Sequence, residues 1–361
     1  MPFNRIWLAV VACLSCLGIP GAGQAQTTDE LETLLLRQAP GEVREVGVGV
    51  WIDQIKFVDQ KAENFGVVGT LRLEWQDPAL AFDAATYGRD FRLFERDDFE
   101  TFASENALFY PGFVIQNQQE PRFSQSARFI VFSTGQAYYI EPFTTVLQAP
   151  HFNFVSFPFD TQEFFVHVVS TYPTSYVKYV PLMSHSGIGK KLGEEEWTFT
   201  DNWTEITTHE GVTGLPSSRF TFGLRARRHV DYYVLRIFTP LAIFVAVSWA
   251  AFFLQEYRWR IDLAGANLLI FVAFNFAISG DLPRLGYMTF LDFILVAMFV
   301  INGVIIVFNV GLRRLRVNDR DDLAHKIDSY ALMWIYPISH VGVISWAVYA
   351  FLYKPSLAAA G

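Results

Sequence analysis

One apolar segment in the last third of the chain carries side chains that could select ions and block their passage. It runs from Ile261 to Ser279, with an aspartate close to its start. Spacings of four and three residues place one set on a single helical face: Asp262, Ala266, Leu269, Ala273, Phe276 and Gly280. A carboxylate within an apolar helix is costly in lipid, whereas in a helix lining an aqueous pore it faces water and attracts cations. The pattern therefore predicts a pore-lining helix.

The middle of this face could act as a gate if several copies of the helix surrounded one axis. A ring of Leu269 side chains would form an apolar constriction in which water loses hydrogen bonds. Such a ring dewets and blocks ions when it is narrow, and it conducts when it widens. Phe276 lies two turns further along and is a second candidate constriction, with Ala273 between them. We expect the gate at these three positions.

The start of the face would set the charge that an ion meets. A ring of Asp262 carboxylates concentrates cations and repels anions, and Ala266 continues the pore one turn above it. Glu256 precedes the helix and adds negative charge at the same mouth, whereas Arg258 and Arg260 oppose it if they face the axis. The residues predict a cation-selective pore.

Other interpretations of these residues stay open at this point. Leu269 and Phe276 would also suit packing against lipid or neighbouring helices, and Asp262 would also suit a helix cap or a snorkelling side chain. Asn267 and Asn275 fall off the face, and we expect them to form hydrogen bonds between helices.

The composition predicts two regions of different character and excludes several classes of protein. Hydrophobic residues make up 52% of the 361 positions and charged residues 18%, too apolar for an ordinary soluble protein. A net charge of −8 argues against nucleic-acid binding, since no basic stripe is present. There is no nucleophile elbow, no HExxH motif and no glycine-rich phosphate loop, so we expect neither an enzyme nor a cofactor.

The first 25 residues have the features of a secretory signal peptide. Arg5 precedes a short apolar run that ends before Pro20, and small residues continue to Ala25. Both cysteines, Cys13 and Cys16, lie in this segment. The mature chain would then hold no disulfide and no cysteine-ligated metal, which suits a bacterial periplasm.

Residues 26–230 are expected to form an all-β sandwich outside the membrane. Short segments of alternating apolar and polar residues, separated by Gly, Pro, Asn and Asp, follow one another from Val43 to about Arg228. Many short strands with turn residues between them favour a β-sandwich.

Residues 231–361 are expected to form a four-helix transmembrane bundle. The predicted spans are 232–255, 261–280, 287–312 and 328–353, and each is long enough to cross a bilayer. Arginines in the first and third links place both links in the cytoplasm by the positive-inside rule. The β domain then lies in the periplasm, and we expect a multi-pass protein of the bacterial inner membrane.

Several short motifs, in this order along the chain, resemble the pentameric ligand-gated ion channels, or Cys-loop receptors, and specifically their prokaryotic members. They are Trp75-Gln76-Asp77, Phe157-Pro158-Phe159-Asp160-Thr161-Gln162, Arg225-Ala226-Arg227-Arg228, Pro240 in the first span, and Asp281-Leu282-Pro283-Arg284 after the second. The Phe157–Gln162 segment is similar to the signature loop of that family without its flanking cysteines. The resemblance implies a homopentamer around a central pore lined by the second span. Its partners would be its own copies, the lipid bilayer, permeant monovalent cations, and a small-molecule agonist or protons.

The resemblance also implies a joint that couples the outer domain to the pore. Asp160 and Arg228 match a family ion pair between the signature loop and the strand before the membrane. Gln60 stands where the family has an acidic residue, so we expect Asp59 to take that role. The turn carrying Pro283 and Arg284 would be the element that is pushed.

The positions implied for stimulus recognition are less typical of the family. By resemblance, the ligand loops hold Phe109, Tyr110, Gln116, Thr171, Tyr172 and His209, with Arg72 on the complementary face. The tryptophan of amine receptors is absent at Thr171-Tyr172, which disfavours an acetylcholine-like agonist. Glu63 matches a titratable position of the proton-gated branch, whose membrane histidine is Phe271 here. His151, His167 and His209 are expected to titrate near neutrality.

A periplasmic solute-binding or sensor protein anchored by membrane helices, without ion conduction, is the alternative function. It predicts charges within several spans and a cytoplasmic output domain, but only Asp262 and Asp292 lie clearly within spans. A ligand-gated, cation-selective channel is the function that the sequence favours.

Overall fold

The computed structural model describes residues 42–124, 126–190, 192–193, 196–211, 214–279 and 285–355. Within them the chain forms a β-sandwich followed by four long helices, as the sequence predicts. The signal-peptide prediction and the positions of Gly280, Pro283 and Arg284 lie outside the described residues.

The sandwich contains two sheets whose inner faces share one apolar core. The larger sheet has the order β10-β1-β2-β7-β6-β3, with β5 on β7 and β9 on β1, and the smaller has the order β11-β12-β8-β4. The strands are β1 (Arg44–Asp59), β2 (Asn64–Gln76), β3 (Phe91–Glu95), β4 (Phe113–Ile115), β5 (Phe123–Ser124), β6 (Arg128–Phe132), β7 (Gln136–Gln148), β8 (Thr161–Pro173), β9 (Val177–Pro181), β10 (Gly187–Ile188), β11 (Trp197–Glu210) and β12 (Pro216–Arg228).

Alternating burial shows why these residues form a sandwich. Along β8, Phe164, Val166 and Val168 are buried, while Phe165 and His167 between them are partly exposed. This period of two is what a half-covered sheet requires. Short helices α1 (Ala84–Tyr87) and α2 (Arg96–Glu105) join strands of the larger sheet, and α2 accounts for the helical pattern in this part of the sequence.

Four helices are long and apolar enough to cross a membrane. They are α3 (Asp231–Ala251), α4 (Tyr257–Ser279), α5 (Phe290–Val317) and α6 (Asp321–Tyr353). Thr289 and Asp292 form a capping box at the start of α5, so the Asp292 carboxylate satisfies backbone donors there. In α3 and α6, π-helical turns at Val234–Phe238 and Ala331–Ile335 end shortly before Pro240 and Pro337, since each proline removes one backbone donor.

The predicted helix boundaries were wrong at the cytoplasmic link between the third and fourth spans. We expected the third helix to end near residue 312 and the fourth to begin at 328, but the helices extend to Val317 and start at Asp321. Arg314 and Arg316 lie in the last turn of α5 and Asp321 in the first turn of α6. Each charge is favourable beside the helix dipole, which explains why a polar sequence stays helical here.

Candidate functional site

The predicted pore face is a continuous exposed stripe of α4. Asp262, Ala266, Leu269, Ala273 and Phe276 are all exposed in the single chain. Leu269 and Phe276 are 71% and 77% exposed, although both are large and apolar. The opposite side of α4 packs on α3 and α5 through buried residues: Ala264, Asn267, Phe271 and Ile278. One subunit therefore leaves the predicted pore face uncovered.

The two arginines at the start of α4 point in different directions. Arg258 is exposed, and its Nε lies 4.0 Å from Oδ2 of Asp262, one turn further along the same face. Arg260 is buried, and its Nη1 lies 2.6 Å from Oδ1 of Asp328 in α6. Arg260 thus anchors α4 to α6 and adds no charge to the exposed face, whereas Arg258 does.

Asn267 connects the core side of α4 to neighbouring helices, as predicted. Its Nδ2 donates to Oγ of Ser248 at 2.7 Å and to the carbonyl oxygen of Phe244 at 3.1 Å. Ser248 also bonds Asn302 of α5. These hydrogen bonds between spans fix the rotation of α4 about its axis.

The predicted coupling pair is present and buried. Arg228 Nε and Nη2 donate to the two carboxylate oxygens of Asp160 at 2.9 and 3.0 Å, and both side chains are almost fully buried. The guanidinium also lies over the Trp197 ring, 4.2 Å from its centroid. This bidentate geometry holds the signature loop (residues 152–162) against the end of β12, where the chain enters the membrane.

The prediction that Asp59 supplies the third acidic group of this pair was wrong. Asp59 is exposed and accepts hydrogen bonds from the backbone amides of Lys61 and Ala62, so it shapes the β1–β2 turn. Glu196 takes the third position instead: it bonds Arg228 and accepts from the Tyr233 hydroxyl at 2.8 Å. A sequence pattern gave no sign of Glu196, because it joins the site from the start of β11.

Gln60 connects the β1–β2 turn to the same network. Its amide nitrogen donates to Glu196 at 3.0 Å, and Glu196 in turn contacts Arg228. The neutral amide at this position therefore reaches the pair through Glu196, without adding a further negative charge.

The signature loop is attached directly to three of the spans or their ends. Its hydrogen bonds run from Phe154 N to the Tyr287 hydroxyl (3.0 Å), from Ser156 Oγ to the Phe351 carbonyl (2.7 Å) and from Phe290 N to the Val155 carbonyl (2.9 Å). The Phe159 ring also stacks on Phe238 of α3 and meets Phe290 of α5 edge to face. A movement of the loop would thus pull on the helices that surround α4.

The predicted ligand residues divide between two places. Phe109 is buried in the sandwich core, whereas Tyr110, Thr171 and Tyr172 line a cavity of about 350 Å³ within the single chain. Gln116 lies elsewhere, with its amide nitrogen 2.8 Å from Nε2 of His209.

The cavity beside Tyr110 contains a buried carboxylate that the sequence did not indicate. Glu141 accepts hydrogen bonds from Arg96 at 2.8 Å, from Arg122 at 3.0 Å and from the Tyr139 hydroxyl at 3.0 Å. Burial raises the pKa of Tyr139, so its hydroxyl stays protonated and donates. Two guanidinium groups beside one cavity make it suitable for a polar ligand.

The remaining candidates stay apart from that cavity. Arg72 of the larger sheet donates to Glu74 at 2.6 Å and lies over the Tyr138 ring. Glu63 is exposed in the β1–β2 turn, where its positive φ of 50° is unusual for a non-glycine residue. Burial lowers the pKa of His167 to about 4, so the expectation that this histidine titrates near neutrality was wrong.

The fold and the exposed face define a multi-pass membrane protein with a β-sandwich outer domain. The model of the neurotransmitter-gated ion-channel ligand binding domain matches residues 34–230, more than half of the chain. The chain therefore belongs to the family of pentameric ligand-gated ion channels, and the predicted resemblance to its prokaryotic members is confirmed.

Known relatives differ in stimulus and in the ion they conduct. A proton-gated ion channel of Gloeobacter violaceus is 25% identical over 265 residues, covering 71% of this chain and 69% of that protein. A pH-sensitive chloride channel of Drosophila melanogaster is 24% identical, and this chain spans about half of its length, 51%. An acetylcholine-gated chloride channel subunit of Caenorhabditis elegans is 20% identical and covers 84% of this chain. Membership of the family therefore leaves selectivity and stimulus to this chain's own residues.

Proposed function

We propose that the protein is a homopentameric, cation-permeable channel of the bacterial inner membrane, opened by a small ligand or by protons that act on its periplasmic domain. The observation that carries this proposal is the exposed stripe of α4. Five copies around an axis would cover the stripe, and would turn Leu269 and Phe276 into apolar rings above a ring of Asp262.

Charges along the stripe favour cations. Glu256, Arg258 and Asp262 are all exposed at its lower end and sum to one negative charge per subunit. Arg260, the fourth charge near this end, is withdrawn into its contact with Asp328. A pentamer would therefore present excess negative charge where ions enter from the cytoplasm.

Replacing Leu269 by Ala tests the gate. We expect Leu269→Ala to raise the resting current of the purified protein in planar bilayers, because a wider ring no longer excludes water. A shift of the closed–open equilibrium by about 1.4 kcal/mol would raise the current roughly tenfold while the closed state predominates.

Leu235→Ala is the matched control for this gate. Leu235 in α3 is 72% exposed, close to the 71% of Leu269, but it lies off the stripe. It should leave the resting current unchanged. Equal currents from both variants and the unchanged protein would place the gate elsewhere, and absence of any current would favour the non-conducting sensor.

Proton gating through Glu63 is the more specific proposal for the stimulus. It rests on the exposure of Glu63 in the turn whose Gln60 reaches the Glu196–Arg228 network. Glu63→Gln mimics the protonated carboxyl, so we expect it to move the pH of half-maximal current upward. Glu45→Gln, at the opposite end of β1, should leave it unchanged. Currents of the unchanged protein that do not vary between about pH 4 and 10 would contradict proton gating.

A further inference from the structure

A second cavity lies on the outer face of the smaller sheet and is separate from the one beside Tyr110. It has a volume of about 250 Å³. Its polar lining residues are Gln116, Asn117, Gln148, His151, His167 and Arg219. In the described part of the chain, no carboxylate contributes to this lining. The cavity thus offers amide, imidazole and guanidinium groups without an acidic side chain to balance them.

Strand pairing brings these groups together. Gln116 follows β4, His167 lies on β8, and the Gln116 amide donates to the His167 carbonyl at 2.8 Å. On the other side, Nδ1 of His167 lies 3.0 Å from the hydroxyl of Thr221 in β12. Arg219 is on β12 two residues before Thr221, and its Nε donates to Thr207 at 3.0 Å. The donors are therefore held by the sheet itself.

The β11–β12 hairpin reaches over this face of the sheet. β11 and β4 are the two edges of the four-stranded sheet, yet His209 on β11 lies within hydrogen-bond distance of Gln116 after β4. The hairpin must curl across the outer face for this contact to form. His209 therefore closes one side of the region in which the cavity lies.

The charges around His167 are predominantly positive. Burial, followed by Arg219, His151 and His209, lowers the pKa of His167 to about 4. The acidic groups on the same face are further away or engaged: Glu205 lies on β11 opposite Thr221, and Glu163 is bound by Arg225 at 2.8 Å. The cavity is thus a region of positive potential that a bound anion would offset.

We propose that this cavity binds a small oxyanion, a carboxylate or a phosphate group, held by Arg219 and the neighbouring histidines. A guanidinium group and imidazole donors match oxygen acceptors of this kind. The anion would link Arg219 on the β11–β12 hairpin to His151, which directly precedes the signature loop. Occupation of the cavity would therefore bias the position of the loop that is attached to the spans.

The affinity should depend on pH in a defined direction. A bound anion raises the pKa of the histidines that face it, since it favours their charged form. Binding therefore takes up protons at pH values above the pKa of the empty cavity and below that of the occupied one. Affinity rises as the pH falls through this window and declines as the pH rises.

Calorimetric titration of the purified full-length protein tests the proposal. Inorganic phosphate and acetate are used separately, at about pH 6 and pH 8, with chloride keeping the ionic strength constant. We expect one of them to bind, more tightly at the lower pH, and Arg219→Gln to weaken binding by about tenfold or more. Which of the two binds identifies the source of the oxyanion.

Arg225→Gln is the matched control, because Arg225 is on the same strand and face but pairs with Glu163 outside the cavity. It should retain the affinity of the unchanged protein. Equal affinity in Arg219→Gln and the unchanged protein, or no binding of either anion, would overturn the proposal. If Arg219→Gln does not assemble, His151→Gln provides the test, and an unchanged affinity there would also overturn it. The titration requires no current, so its outcome is independent of ion conduction.

Discussion

Asp160→Asn should reduce the stability of the folded protein by about 3 kcal/mol, because it leaves the buried Arg228 guanidinium without its main partner. The two carboxylate oxygens of Asp160 bind Arg228 at 2.9 and 3.0 Å, and water cannot replace them at a site this buried. Glu196 stays in contact with Arg228, so we expect the lower end of the range for broken buried pairs, which reaches about 5 kcal/mol. A lower melting temperature of the purified oligomer would show this loss.

Glu163→Gln is the control for this prediction. Glu163 pairs with Arg225, three residues before Arg228 on β12, at 2.8 Å, but the side chains are 41% and 46% exposed. Exposed pairs contribute only about 0–1 kcal/mol, so the melting temperature should change little. A similar fall in both variants would contradict the role assigned to burial.

A double variant separates the cost of an unpaired charge from the loss of packing. Combining Asp160→Asn with Arg228→Met removes both charges and keeps an apolar chain of similar length beneath Trp197. If the unpaired guanidinium causes the loss, the double variant should melt at a higher temperature than Asp160→Asn alone. If it melts lower still, packing of Arg228 on Trp197, Phe157 and Tyr233 would be the larger contribution.

Periodicity made the general fold predictable. Alternation along β8 and the long apolar runs depend only on which faces are covered, and the structure places strands and spans where these patterns indicate. The end of α5 could not be read in this way. Its last turn is polar and stays helical because Arg314 and Arg316 are favourable there and Asp321 begins the next helix.

Contacts between distant segments explain what the sequence did not indicate. Glu196 and Glu141 receive their partners from other strands or helices, and no local spacing marks such residues in advance. The directions of Arg258 and Arg260 are of the same kind. They are two residues apart, and only the packing of α4 against α6 decides that one is buried and the other exposed.

Neutralising Asp262 and Arg258 in turn should shift the reversal potential in opposite directions. Both side chains are exposed on one face of α4, 4.0 Å apart, so a pentamer would hold a negative and a positive ring one turn apart. Asp262→Asn leaves the Arg258 ring alone and should move selectivity towards anions. Arg258→Gln leaves the Asp262 ring unopposed and should make the channel more selective for cations.

The shifts should be tens of millivolts in bilayers with a tenfold gradient of potassium chloride, since ideal selectivity for a monovalent ion corresponds to about 59 mV. Arg313→Gln is the control: Arg313 is an exposed arginine in the last turns of α5, off the stripe, and its loss should leave the reversal potential unchanged. If Asp262→Asn also leaves it unchanged, Asp262 does not face the ions. If Arg258→Gln shifts it towards anions, the arginine acts as more than a counter-charge to Asp262. Opposite shifts of similar size would mean that selectivity is the balance of the two rings, which a single substitution can reverse.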